Sequence, residues 1–283
     1  ASMTGTVGVK TTAGRWSIEG ISPLSPTLDT PGTLTRTVED AALAFSVIDP
    51  TTAADPDTFL TAVDRADVGD FRIGVCEAFF DDCEPGIAEG VRAALAELEA
   101  AGARLVDITI PHLDEVDTIF RTGGLSAYEF AGFISDVLPD FIADLDPMVG
   151  SRFDKMTAMA ASDYLIRRRR LEVLTREAHA VISDVHAVVG PTIAITPPRI
   201  EDVREPSPYM KANLMAARNT TVVNLLTMCA VTMPVALDAA GMPVGLHIVC
   251  PQGDDGLSIA IARAFEKQLG TARERLGPPP LGV

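Results

Sequence analysis

Four histidines, four cysteines, four lysines and a few neighbouring carboxylates are the groups of this chain fit for acid–base, nucleophilic or metal chemistry. His179 and His186 stand seven residues apart on one expected helix. That spacing puts them on one face about two turns apart, too far for a single ion, so no metal site is expected. His247 lies in an apolar, strand-like run, the setting of a satisfied core histidine. A Ser–His–Asp arrangement needs a serine activated by an adjacent base, and the chain has no G-x-S-x-G elbow. Gly8-Val9-Lys10-Thr11 lacks the glycine spacing and the Gly-Lys step of a phosphate loop. Asp81-Asp82 and Asp254-Asp255 read as loop and helix-start carboxylates, and the run Arg167 to Arg170 as a solvated helix face. Cys76, Cys83, Cys229 and Cys250 form no C-x-x-C pair. They read as free thiols, mostly buried, and imply a reducing, cytoplasmic setting. These residues assemble no catalytic constellation by themselves, and no cofactor is expected.

The elements that would position such groups follow from periodicity. Residues 1–36, rich in Gly, Pro, Ser and Thr, read as turns and short strands. Thr37 caps a helix with Val38, Ala41, Ala42, Phe45 and Ile48 as its buried stripe. Residues 50–70 read as a polar, Asp-rich connection. Arg72 to Cys76 is a strand, a helix buries Ile87, Val91, Leu95 and Leu98 and ends at Gly102, and Leu105 to Ile110 is the next strand. This is the pattern of a parallel pair with a crossover helix. Residues 112–160 are less regular, with helices around Leu125–Phe133 and from Phe141. Ser162 is expected to cap a long helix reaching about His186. A strand Val188–Ile193, a helix Ser207–Thr227 and a hairpin, Val231–Val235 with Val244–Val249, come next. A last helix starts at Asp254 or Asp255 and stops at Gly270, before a loose tail at Pro278 to Pro280. The fold class is α/β: a mixed, mostly buried β-sheet covered on both faces by helices.

Composition agrees with a globular chain. It has 283 residues, 47% of them hydrophobic, enough for one large core. The net charge of −16 repels phosphate backbones and anionic lipid, so no direct nucleic-acid partner and no membrane partner is expected. No apolar run reaches the ~18 residues of a membrane span.

The opening Ala1-Ser2-Met3-Thr4-Gly5-Thr6-Val7-Gly8-Val9-Lys10-Thr11-Thr12-Ala13-Gly14-Arg15 resembles the amidase-signature family. There a G-G-S-[IV]-R-x-P-A segment runs straight into G-x-x-G-[LV]-K-[PT]-T-x-G-R. Leu28 to Ala42 is similar to the family's L-D-x-x-G-P-[LM]-x-R-[ST]-V-x-D-[AC]-A, with Thr33 in place of Pro. Val189-Gly190-Pro191-Thr192 resembles L-L-x-P-T. Asn224-Leu225-Leu226 with Thr232-Met233-Pro234 is similar to N-x-x-G-x-P-[AS]-x-[ST]-[LMV]-P, from which Cys229 and Val231 depart slightly. Gly241 to Val249 resembles G-[LM]-P-[IV]-G-[LV]-Q-[LIV]-[IV], with His247 for Gln. The resemblance runs in order from end to end.

It implies a Ser–cis-Ser–Lys amide hydrolase whose three catalytic residues precede Ala1, the nucleophile by about five residues. No catalytic residue is therefore expected within the chain. Residues 1–283 would be the C-terminal portion of a single domain whose N-terminal part is missing. Lys10 is not the catalytic lysine by its place in the motif and reads as a turn or surface residue. In the family, the loop after the G-R motif, the middle helices and the Pro-rich loop after L-L-x-P-T line the acyl pocket. That implies Leu24, Tyr128, Gly190 and Ile193 as substrate-binding residues, each otherwise explicable by packing; Tyr128 otherwise reads as a half-buried helix residue with its hydroxyl at the surface. The implied partners are a small-molecule amide, the preceding segment of the same protein and, at the level of assembly, a homodimer. A transamidase subunit feeding ammonia to a misacylated tRNA and a non-catalytic remnant are the alternative readings.

Overall fold

A computed structural model of the chain describes residues 1–278. Its centre is a sheet of seven strands: β1 (Val7–Lys10), β2 (Gly32–Thr35), β3 (Arg72–Val75), β4 (Arg104–Asp107), β5 (Ala187–Pro191), β6 (Cys229–Leu237) and β7 (Pro243–Cys250). They lie in the order β2-β1-β6-β7-β5-β3-β4. Strand β3 is parallel to β4 and to β5, and the other pairs are antiparallel, so the sheet is mixed as expected.

The helices are α1 (Val38–Ile48), α2 (Pro56–Arg65), α3 (Ile87–Ala100), α4 (Leu113–Arg121), α5 (Ser126–Val137), α6 (Pro147–Thr157), α7 (Ala161–Ile182), α8 (Pro206–Leu225), α9 (Asp255–Leu269) and α10 (Ala272–Leu276). Successive strand residues point to opposite faces, and the core divides accordingly. Ala187, Val189, Val231, Leu246 and Ile248 pack with α1, α3 and α9. Val188, Ala230 and Val249 pack with α4, α7 and α8. A smaller cluster around Ala131, Ile134 and Phe153 joins α5 to α6.

Helix boundaries follow local chemistry. The Asp40 N–H donates to the Thr37 hydroxyl at 3.0 Å to cap α1. Gly102, at φ 112°, follows the end of α3 in a conformation that suits glycine. All four thiols are free, and Cys76, Cys229 and Cys250 are buried. No helix among the described residues is long and apolar enough to cross a membrane.

Several sequence expectations need correction. The polar stretch 50–70 contains α2, capped by Asp55, started by Pro56 and anchored through Val63; its apolar stripe is too short to stand out among polar neighbours. Ile48 is half exposed, because α1 turns its last buried position over to Asp49, whose carboxylate Arg15 holds. Helix α7 ends at Ile182, so His186 is not on it; instead His186 Nδ1 accepts the Arg72 N–H at 2.9 Å. Ala160, not Ser162, is the residue ahead of α7, and its side chain makes no cap. Strand β4 stops at Asp107. The tail expected at Pro278 to Pro280 lies largely outside the described residues.

Candidate active-site seam and groove

The carboxyl ends of parallel strands are where open α/β sheets offer a crevice. Here the chain leaves β3 through a short turn, Glu77–Phe79, and leaves β5 at Thr192. The two exits interlock through Gly190. A Cβ at Gly190 would sit 2.6 Å from Phe79 Cβ, so the missing side chain is the space that Phe79 fills.

A line of polar groups runs from there to the amino end. The Thr192 N–H donates to Gly245 O at 2.9 Å. The Thr192 and Thr232 hydroxyls share a buried hydrogen bond of 2.6 Å. At Gly245 a Cβ would lie 2.5 Å from Ser2 Oγ and 2.7 Å from Thr232 Oγ1, so glycine lets the first turn rest on β7. The Ala1 carbonyl accepts from the N–H groups of Thr4 (3.0 Å) and Thr6 (3.2 Å) and from the Thr4 hydroxyl at 2.9 Å. In the other direction, buried Asn219 on α8 donates to Pro191 O at 2.7 Å and to Phe79 O at 2.9 Å. Arg218 donates through Nε to Asn219 Oδ1 at 3.1 Å. The seam is thus continuous from Ala1 to Arg218.

The charged groups around it are muted by burial. Burial pulls His247 down to about 4, with Lys10 adding to the effect, so its imidazole is neutral at ordinary pH. Its Nδ1 is buried without a partner, so the expected satisfied core histidine is buried but not satisfied. Burial also pulls Lys10 to about 8, against the opposing influence of Cys229 and Asp255. Its ammonium donates to Met228 O at 3.0 Å and Thr11 O at 3.1 Å. Lys10 is therefore a clasp between β1 and the start of β6, which corrects the turn-or-surface expectation. Burial pushes the Cys229 thiol up to about 12, an inert setting. Asp255 opens α9 as expected, but it is also fully buried and accepts from Thr12 N (2.7 Å) and Thr12 Oγ1 (2.8 Å). Among the described residues no group of His, Cys, Asp and Glu is arranged to hold a metal. The seam has hydroxyls and oriented N–H groups but no base hydrogen-bonded to a hydroxyl nucleophile.

A second feature is a groove of about 380 Å³ between α5, α6 and α7, lined by Tyr128, Glu129, Met156, Met159 and Tyr164 among others. The Tyr128 and Tyr164 rings lie 5.6 Å apart, and the Arg167 guanidinium sits 5.5 Å from the Tyr128 ring. Burial opposes ionisation of Glu129, yet donors from Thr27, Ser25 and Tyr164 hold its carboxyl below the usual range. Those bonds, 2.7 Å from Ser25 Oγ, 3.0 Å from Thr27 N and 2.8 Å from the Tyr164 hydroxyl, bring the 24–27 loop to the groove.

The four expected pocket residues divide between the two features. Tyr128 lines the groove, with its hydroxyl buried and unpartnered rather than at the surface. Leu24 is exposed in the adjoining loop, next to Ser25. Gly190 and Ile193 belong to the seam, Gly190 beneath Phe79 and Ile193 half-buried just beyond β5. The arginine run is only partly a solvated face, because α7 packs near α4: Arg170 pairs with Glu115 at 2.6 Å, and Arg167 donates to Thr122 O at 2.8 Å. Sequence reasoning missed Thr192, Asn219, Arg218 and Thr232. The one available signal was the Arg218-Asn219 pair in an otherwise small and apolar stretch of α8.

Comparison with known proteins places these features in context. The family model described as Amidase matches residues 1–258. The chain is 42% identical over 282 residues to a 2-amino-5-chloromuconic acid deaminase of Comamonas testosteroni, covering 99% of this chain and 60% of that protein. It is 28% identical over 298 residues to one subunit of the glutamyl-tRNA(Gln) amidotransferase of Myxococcus xanthus (strain DK1622), covering 95% and 60%. A crystal structure of an amidase superposes with a TM-score of 0.79 at 26% identity, over 95% of this chain and 60% of that one. The chain thus spans about 60% of the length of these relatives.

Proposed function

The chain belongs to the amidase family, and from that premise we propose that it is the larger part of a hydrolase that cleaves the C–N bond of a small carboxamide, its serine nucleophile lying just ahead of Ala1. The observation that carries this reading is the anchoring of Ala1 and Ser2. Ala1, which the family pattern sets about five positions after the serine, packs against Gly8 of β1, and Ser2 next to it rests on Gly245 and Thr232, close to the carboxyl end of β5. A serine preceding it is then within reach of the seam.

In this reading a lysine kept neutral by its surroundings takes a proton through a bridging serine. The nucleophile attacks the carbonyl, and backbone N–H groups stabilise the oxyanion. All three side chains come from the preceding segment of the same protein. This chain supplies the walls: Gly190 and Ile193 at the seam, Tyr128 and the loop at Leu24 beside the groove. The groove at Tyr128 is lined mostly by apolar groups with few polar ones, as small-molecule sites are.

The 42% relative favours a second form of the same C–N chemistry, release of ammonia from an amino-substituted unsaturated acid. The lower identity to the amidotransferase weighs against a transamidase role.

The test uses the full-length protein, assayed for ammonia release from aliphatic and aromatic amides and from a 2-aminomuconic acid, with fluorophosphonate labelling in parallel. The expected result is hydrolysis with label on a serine about five residues before Ala1. An active preparation that takes up no label overturns the serine mechanism. Hydrolysis only in the presence of co-purifying subunits moves the reading to a transamidase.

A further inference from the structure

Arginine is almost never buried without a partner. In a chain of net charge −16, carboxylates are plentiful, and Arg263, Arg275 and Arg15 all pair with them closely. Arg218 departs from that pattern. Its side chain is only 14% exposed, and the nearest carboxylate, Asp82, stands 3.9 Å from Nη1 and is itself 87% exposed. Asp82 is a loose neighbour on a surface turn, not a built counter-ion.

The hydrogen bonds of Arg218 hold its guanidinium in place but give its charge no close counter-ion. Phe79 O, which Arg218 Nη2 approaches at 3.3 Å, already receives the shorter bond from Asn219 at 2.9 Å. Nε is spent on Asn219 Oδ1, which fixes the plane of the fork, and the rest of the guanidinium has only the Cys83 thiol and the loose Asp82 carboxylate close by. The nearby Cys83 thiol is pushed up by burial, with Arg218 only opposing that push, so it stays neutral and supplies no charge. Through Asn219 and Pro191 O the fork is tied to the seam that ends at Ala1.

Resting on the amide-hydrolase reading above, we propose that Arg218 recognises a free carboxylate of the substrate, so that the protein acts on amides or related C–N compounds of an organic acid rather than on neutral amides. A carboxylate suits a guanidinium fork held in one plane, and in a partly desolvated position such a charge-assisted contact is strong. Arg218 is a specificity residue; the bond-breaking groups lie elsewhere.

The experiment uses the full-length protein and matched pairs of substrates, monoamides of short dicarboxylic acids (succinic to adipic) and their methyl esters. The wild type is expected to prefer the acids. Arg218→Gln is expected to raise KM for the acids about 30-fold with kcat nearly unchanged and to leave the esters unaffected, while Arg218→Lys falls between. Equal losses on acid and ester would show that Arg218 only supports the Phe79 turn, and would overturn the proposal. If Arg218→Gln does not fold, binding of adipate and of adipamide to the wild type decides: tighter adipate binding supports the proposal, and equal binding overturns it. If the wild type hydrolyses no amide yet binds adipate in an Arg218-dependent way, the hydrolase reading fails and the carboxylate site stands.

Discussion

His247 offers the sharpest test of how burial governs this fold. The side chain is 4% exposed on β7, where its cross-strand neighbours are Gly190 and Thr232, and its Nδ1 has no partner. Burial lowers its pKa from 6.5 to about 4. The unfolded chain therefore binds the proton more readily than the folded one between those two values. The stabilisation is complete above pH 6.5 and is lost progressively as the pH falls to about 4. A shift of that size corresponds to about 3 kcal/mol in total, of which about 2 kcal/mol is lost by about pH 5. Urea unfolding of the full-length protein at neutral pH and near pH 5 measures the loss. His247→Gln is the control, since glutamine stays polar but cannot take the proton, and subtracting its pH dependence cancels that of every other group. The expected difference between the two proteins changes by about 2 kcal/mol across this range. A pH dependence of wild type and His247→Gln that coincides would refute the argument, since it would mean that the imidazole is charged or solvated in the folded state.

Two further outcomes follow from the same geometry. Gly190→Ala forces a methyl to within 2.6 Å of Phe79 Cβ, and is expected to cost about 1–3 kcal/mol, read as a lowered thermal midpoint; an unchanged midpoint would mean the Phe79 turn moves freely. Asp49 is buried, and although burial opposes its ionisation, hydrogen bonds from Arg15, Thr51 and Trp16 bring it from 3.8 down to about 2. Its stabilisation, about 2 kcal/mol, is present above the upper value and lost as pH falls through the lower one. Asp49→Asn should remove that acid transition from a denaturation series, and its persistence would assign it to other carboxylates.

Much of the architecture was legible because it is written in local periodicity. The near-continuous apolar runs around Val188–Val189 and Leu246–Val249 mark strands buried on both faces, and the 87, 91, 95, 98 spacing marks α3. The crossover pair β3–α3–β4 follows from the same pattern. What local patterns misjudged were short or mixed signals. The few apolar residues of α2 were outweighed by its aspartates, and the C-terminal end of α7 had no stop signal before His186.

The sequence by itself determined the α/β class, the family motifs and the free thiols, because each depends on residue type and near-neighbour spacing. The family resemblance also implied Leu24, Tyr128, Gly190 and Ile193 as pocket residues. Only the tertiary structure decided that Lys10 is a half-buried clasp, that Gly190 and Gly245 are gaps which Phe79, Ser2 and Thr232 fill, and that Arg218 ends a seam beginning at Ala1. Those residues are separated by long stretches of chain. The strand order that sets β7 between β6 and β5 brings them together. Burial, which pulls down both a lysine and a histidine here, depends on everything packed around a side chain, most of it distant in sequence.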